Sequence, residues 1–217
     1  MRIVLMGPPG AGKGTQAERL VEKFGMTHLS SGDIFRAEKS SGSELGNKIA
    51  DIIDKGQLVP DDIVVEMMAK AITAVKGGLL LDGFPRTVAQ AEALDKTLED
   101  LNAKLDAVIL IVADEDAIVE RICARRKCPK CGANFNIKFI PSAKGEYCDK
   151  CPGDVKLAIR DDDNENVVRS RMKAYRDQTE PVLAYYKNEG AVKVLEVNGN
   201  QSLDDVTVDI VKAVESI

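Results

Sequence analysis

The sequence contains no tryptophan, and aromatic residues make up only 4% of its 217 positions. A surface that stacks the bases of single-stranded nucleic acid needs a series of such rings, so that class is disfavoured. A formal net charge of −5 gives no broad field for a phosphate backbone either. No apolar run reaches the ~20 residues that span a bilayer, and the first residues form a core-strand pattern rather than an export signal. No Asn-Lys-x-Asp motif for guanine occurs. The single histidine, His28, has no acidic or thiol neighbour in sequence and reads as a partly buried strand-end residue. The five cysteines, without an export signal, suit a reducing cytoplasm, where paired cysteines bind metal more often than they oxidise.

At 44% hydrophobic and 30% charged, with 17 glycines, the chain can hold one sizeable core plus insertions. The stretch that organises it is Gly7-Pro8-Pro9-Gly10-Ala11-Gly12-Lys13-Gly14-Thr15, preceded by the apolar run Ile3-Val4-Leu5-Met6 and followed by a helical pattern. That is the strand–loop–helix setting of a phosphate-binding loop. Small residues let successive backbone N–H groups face one concavity, and the helix N-terminus adds partial positive charge. Lys13 supplies a cation and Thr15 a hydroxyl for a magnesium shell. Gly14 intervenes where the strict motif has a hydroxyl residue directly after the lysine.

Residues 2–6, 27–29, 79–81, 107–112 and 192–197 read as short buried strands, and helical patterns follow them. The expected helices include 89–101, 116–126 and 203–214, with broken helices over 33–74 and Asp61 or Asp62 as an N-cap. Alternation of this kind predicts an α/β, three-layer P-loop fold with a central five-stranded parallel sheet. Two segments, about 30–60 and 127–160, do not fit the alternation. They are insertions at the ends of strand–helix units, where such sheets bind ligands.

Cys128-Pro129-Lys130-Cys131 and Cys148-Asp149-Lys150-Cys151 are two C-x₂-C pairs at zinc-ribbon spacing. Four thiolates leave no open position, so a metal there is structural; zinc and iron both fit, and two disulfides are the competing reading. Between the pairs, Phe135, Ile137 and Phe139 alternate with Asn134, Asn136 and Lys138, a small strand with one apolar face. Cys123 lies alone and reads as a buried thiol. A zinc ribbon can also bind nucleic acid, but Asp161-Asp162-Asp163 beside it argues against that.

Phosphoryl transfer depends on positioning and on neutralising spreading charge. Arg36, Arg86, Arg121, Arg125, Arg160 and Arg171 lie at strand ends and insertion hinges, with Arg121 and Arg125 on one face of an expected helix. Asp82, ending a buried strand, suits a magnesium-water shell or a turn cap.

The glycine loop, Ser31-Gly32-Asp33, Asp82-Gly83-Phe84-Pro85-Arg86-Thr87, Gln90-Ala91, Arg125-Arg126, the four cysteines and Arg160-x-Asp162-Asp163 together resemble the adenylate kinases, in their bacterial long-lid form with a zinc-binding lid. The resemblance implies reversible transfer of the ATP γ-phosphoryl to AMP, giving two ADP, with Mg²⁺ and a structural Zn²⁺. It implies a core of 1–29, 60–126 and 164–217, a helical NMP-binding insertion at 30–59 and a small β lid at 127–163. The residues that match ATP contacts are Gly10, Ala11, Gly12, Lys13, Gly14, Thr15, Arg121, Arg125 and Gly199. Those that match AMP contacts are Ser31, Arg36, Gln57, Val59, Gly83, Arg86, Gln90, Arg160 and Arg171. Lys13, Arg86, Arg121, Arg125, Arg160 and Arg171 match the catalytic set, and Thr15 with Asp82 the magnesium shell. A cytoplasmic monomer without nucleic-acid or membrane partners is the family expectation. The chain departs from the pattern at Ser31 (usually Thr), Ala124 (usually Gly), Phe135-Asn136 (usually Tyr-His) and Ile140-Pro141-Ser142 (usually Asn-Pro-Pro). A kinase for UMP or CMP and a zinc-ribbon nucleic-acid ATPase are the rival readings.

Overall fold

The computed structural model describes residues 1–190 and 192–217. In chain order its elements are β1 (Arg2–Met6), α1 (Lys13–Phe24), β2 (Thr27–Ser30), α2 (Ser31–Ser41), α3 (Glu44–Ile53), α4 (Asp61–Thr73), β3 (Leu79–Asp82) and α5 (Val88–Asp100). There follow β4 (Ala107–Val112), α6 (Glu115–Cys123), β5 (Arg125–Lys127), β6 (Asn134–Asn136), α7 (Glu165–Ala174), a π-helical turn (Tyr175–Thr179), α8 (Glu180–Glu189), β7 (Lys193–Asn198) and α9 (Leu203–Glu215).

The five-stranded sheet has the order β2-β3-β1-β4-β7, and every pair in it is parallel. Its central strands are apolar except at Arg2 and Asp82, at the ends of β1 and β3, because helices cover both faces. Along β1 the side chains alternate: Val4 and Met6 join Leu81, Met68, Leu94 and Tyr186 on one face, while Ile3 and Leu5 join Leu80, Leu20 and Ile210 on the other. Burying each such side chain contributes about 1.5–3 kcal/mol. β1 lies between β3 and β4, so the loop after it emerges at the sheet's centre, on its carboxyl edge.

Serine, threonine or asparagine side chains cap α2, α3, α5, α7 and α9, at Ser30, Ser43, Thr87, Asn164 and Ser202. α4 begins at Asp61 with Pro60 as its N-cap, so neither aspartate caps it. Asp61 instead accepts hydrogen bonds from Thr87 and Gln90.

The segment that carries both cysteine pairs forms a small β structure with its own apolar cluster of Cys128, Ala133, Phe135, Cys148 and Cys151. Here the sequence pattern misleads at three points. The helix expected to reach Arg126 ends at Cys123, and Arg125–Lys127 pairs antiparallel with Asn134–Asn136. The expected apolar strand stops at Asn136, leaving Ile137 and Phe139 exposed. Cys123 is exposed, not buried. Pairing across the hairpin outweighs the helical propensity of two arginines and a lysine, which tertiary contacts commonly override.

Candidate active site

Gly7, Gly10 and Gly12 all adopt positive φ, at 145°, 81° and 96°. At Gly7 the reason is a close approach: a Cβ there would lie 2.5 Å from the Ile111 carbonyl oxygen on β4. Gly12 is the N-cap of α1, with no side-chain cap and no acidic residue in the first turn. The first-turn N–H groups and the helix dipole are thereby left for an anion. Lys13 Nζ curls back on the loop, donating to the carbonyls of Gly7 (2.7 Å) and Pro8 (2.9 Å). Burial lowers its pKa to about 8; Asp82 opposes the shift, while Arg86, Arg171 and Arg125 reinforce it.

Asp82 closes β3 beside this loop, close enough that a Cβ on Gly14 would lie 3.8 Å from its Oδ2. His28 Nε2 is 3.6 Å from the same oxygen. Burial pushes the Asp82 pKa up, but His28 and the charges of Lys13 and Arg86 outweigh it and hold the carboxyl below its usual range. An ionised carboxylate and the Thr15 hydroxyl, which line the same cleft, are a donor set suited to a hard, oxygen-preferring cation such as Mg²⁺.

The arginines are held by a second layer of acceptors. Arg86 Nε donates to the Gly83 carbonyl (2.8 Å), and an Arg121 terminal nitrogen to the Gly199 carbonyl (2.8 Å). Arg125 reaches both carboxylate oxygens of Asp163, whose side chain is 0% exposed. Arg171 donates to Asp162 (3.0 Å), Arg36 to Asp33 (2.8 Å) and Arg160 to Asn134 (3.0 Å). Nε of Arg36 and of Arg160 is buried without a hydrogen-bond partner. Burial lowers the pKa of Arg86, and lowers that of Arg160 and Arg171 to about 10, with Arg125 adding repulsion to the latter two. All remain cationic at neutral pH. Crowded, partly desolvated guanidinium groups are poised to neutralise an anion.

One cleft of about 700 Å³ collects these groups, and it is lined by every nucleotide-site residue expected from sequence except Ser31. Ser31 is buried beside it, its hydroxyl donating to the Gly83 carbonyl at 2.6 Å. Gln90 lines the cleft, but its amide is engaged at both ends, accepting from the Arg86 N–H (2.8 Å) and donating to Asp61 (2.7 Å). Glu18, Phe139, Tyr175 and Thr179 also line the cleft, without any local sequence signal for it. Glu18 accepts from Asn134 (2.7 Å), and Lys127 donates to Asp33 (2.7 Å) across 94 residues of sequence. No local pattern encodes contacts of that range.

The sulfurs of Cys128, Cys131, Cys148 and Cys151 all lie within 4.8 Å of one another, with Cys128–Cys151 at 3.8 Å and Cys131–Cys148 at 3.7 Å. Disulfides would need about 2.05 Å. A tetrahedron with metal–sulfur bonds of ~2.3 Å has edges of ~3.8 Å, so the thiols fit a tetrahedral ion.

The adenylate kinase family matches residues 5–191 of this chain. The adenylate kinase of Alkaliphilus oremlandii is 46% identical over 218 residues, covering 100% of this chain and 99% of that protein. That of Archaeoglobus fulgidus is 43% identical, covering 100% and 99%. That of Bacillus licheniformis is 46% identical, covering 97% and 96%. Together with the glycine loop, Asp82 and the converging arginines, these matches show that the chain belongs to the adenylate kinase family.

Proposed function

We propose that the chain transfers the γ-phosphoryl group of ATP to AMP, giving two ADP, reversibly. The carrying observation is the single cleft in which the uncapped N-terminus of α1 and Lys13 face arginines from the core and both insertions. A bond forms from an AMP phosphate oxygen to the γ-phosphorus as the bond to the β–γ bridging oxygen breaks, so no general base is required of the protein.

The loop residues Gly10–Thr15 and Lys13 hold the outer phosphates of ATP, with Arg121 and Gly199 at its base. Arg36 and Arg86 hold the AMP phosphate, and Ser31, Gln57, Val59, Gly83 and Gln90 shape its pocket. Arg125, Arg160 and Arg171 clamp the migrating group, each such clamp being worth ~10³-fold or more. Thr15 and Asp82 would hold Mg²⁺, which supplies charge neutralisation on the triphosphate. Cys128, Cys131, Cys148 and Cys151 would hold a structural Zn²⁺ that cross-links their loops. We assign 1–29, 60–126 and 164–217 to a core, 30–59 to an AMP-covering insertion and 127–163 to an ATP-covering lid. The separate apolar cluster of the cysteine region supports that division. Closing both over the phosphates excludes water, so AMP rather than water accepts the phosphoryl group.

The test is phosphoryl transfer from ATP with Mg²⁺ to a panel of AMP, GMP, CMP and UMP. We expect a strong preference for AMP with ADP as the only product. Equal or better transfer to UMP or CMP, or hydrolysis of ATP without transfer, would overturn the reading.

A further inference from the structure

Asn136 is 9% exposed, and its side chain is hydrogen-bonded at both ends. Its Nδ2 donates to the main-chain carbonyl of Arg121 (3.0 Å), one of the carbonyls in the last turn of α6 that the helix itself cannot satisfy. Its Oδ1 accepts from the main-chain N–H groups of Lys138 (3.0 Å) and Phe139 (3.2 Å). The turn that follows is fastened to the same helix end, with the Ile137 N–H donating to the Ala124 carbonyl (2.9 Å) and Lys138 Nζ to Glu120 (2.8 Å). In the ladder, Asn136 stands opposite Arg125. One buried amide thus ties α6 to the lid turn carrying Phe139, a ring that is 55% exposed and lines the cleft. Arg121 lines the same cleft, its guanidinium fixed by the Gly199 carbonyl at 2.8 Å. An aromatic face and a guanidinium plane are the two surfaces that best hold a nucleobase.

We infer that Asn136 is a positioning residue for the base of ATP, setting Phe139 on the lid and Arg121 on the core as the two walls of the base slot. The inference rests on the proposed ATP-to-AMP reaction. It gives Asn136 no contact with the reacting phosphates, so its loss should appear in the ATP KM and leave the chemistry alone. Asn136→Asp keeps the acceptor for Lys138 and Phe139 and removes the donor to Arg121, leaving a buried carbonyl unpaired and facing a carboxylate. Asn136→Ala removes all three bonds.

The experiment is steady-state kinetics of the wild type, N136D and N136A with each substrate varied, alongside thermal melts. For both variants we expect the ATP KM to rise about tenfold, because the two walls of the slot are no longer held in place before the base arrives. The AMP KM and kcat should stay within about twofold, and the N136D melt should fall by roughly 2–12 °C, the cost of one unpaired buried carbonyl. An N136D enzyme with the wild-type ATP KM would overturn the inference. So would a parallel change in both KM values and kcat, or an N136D melt lowered by more than roughly 12 °C, each marking a general structural role. Absence of ATP-to-AMP turnover in the wild type would instead overturn the reaction on which the inference rests.

Discussion

Asp163→Asn replaces the fully buried carboxylate that receives Arg125 in a two-pronged bond and lies 3.9 Å from Arg171. The shape survives, but the negative charge is lost, and an amide N–H₂ group is turned toward a guanidinium with no acceptor to offer. Breaking one side of a buried pair costs roughly 3–5 kcal/mol, because the remaining charge keeps its desolvation penalty without its partner. For a chain of this size each kcal/mol lowers Tm by about 2–4 °C, so the melt should fall by roughly 6–20 °C. The assay is calorimetric unfolding at 0.1 M and 1 M salt. A pair with no exposed carboxylate is poorly screened, so the loss should persist at high salt. A shift below ~2 °C, or one that vanishes at 1 M salt, would refute the reasoning by marking a screened surface pair. The double variant Arg125→Met with Asp163→Leu should regain most of the stability, since removing both charges of a buried pair is often neutral. It should still lose ~10³-fold or more in turnover. That combination would show that the charges are retained for phosphate rather than for the fold.

Arg86→Ala should lower kcat by ~10³-fold with an unchanged far-UV circular dichroism spectrum, and near-normal turnover would remove Arg86 from the clamp. Between about pH 8 and the ordinary lysine value, the unfolded chain binds more protons at Lys13 than the folded chain, so stability should rise with pH across that window. ATP affinity should fall across the same window as the cation is lost; denaturant melts and ATP titrations would show the opposed slopes, and Lys13→Met should flatten both. Cys148→Ser, or a strong chelator, should lower Tm and release one metal ion per chain; an unchanged melt would argue that the four thiols hold no ion. Gly7→Ala should depress both stability and ATP binding, because its Cβ would overlap the Ile111 carbonyl at 2.5 Å; a wild-type melt would refute that contact.

What the sequence made legible was local in character. The glycine loop, the Asp82–Arg86 run and the two cysteine pairs declare themselves by spacing, and the structure brings the first two into one cleft and the four sulfurs into one cluster. The three central strands were equally plain, because strands buried on both faces are predominantly apolar, whereas the edge strands β2 and β7 carry polar residues. Residues 165–189, whose α7, π turn and α8 bring Arg171, Tyr175 and Thr179 to the cleft, carried no comparable signal. Arg160 lies before α7 rather than on it. Arg125 was legible as a cleft residue and illegible as a strand residue, since its partner Asn136 comes from across a hairpin. The internal engagements of Ser31 and Gln90 depend on Gly83, Asp61 and the Arg86 backbone, so their side chains alone did not reveal them.

The bond from Lys127 to Asp33 joins the stretch assigned to cover ATP to the stretch assigned to cover AMP. In the closure we propose, a contact that forms as both stretches swing inward would couple the occupancy of one nucleotide to that of the other. For a partly exposed pair the coupling is about 0.2–1 kcal/mol, or roughly 1.4- to 5-fold in affinity. Linkage requires the same factor in each direction, so AMP must tighten ATP binding as much as ATP tightens AMP binding, whichever nucleotide arrives first. The two ligands would thus influence one another through a lysine and an aspartate, before any phosphate moves between them.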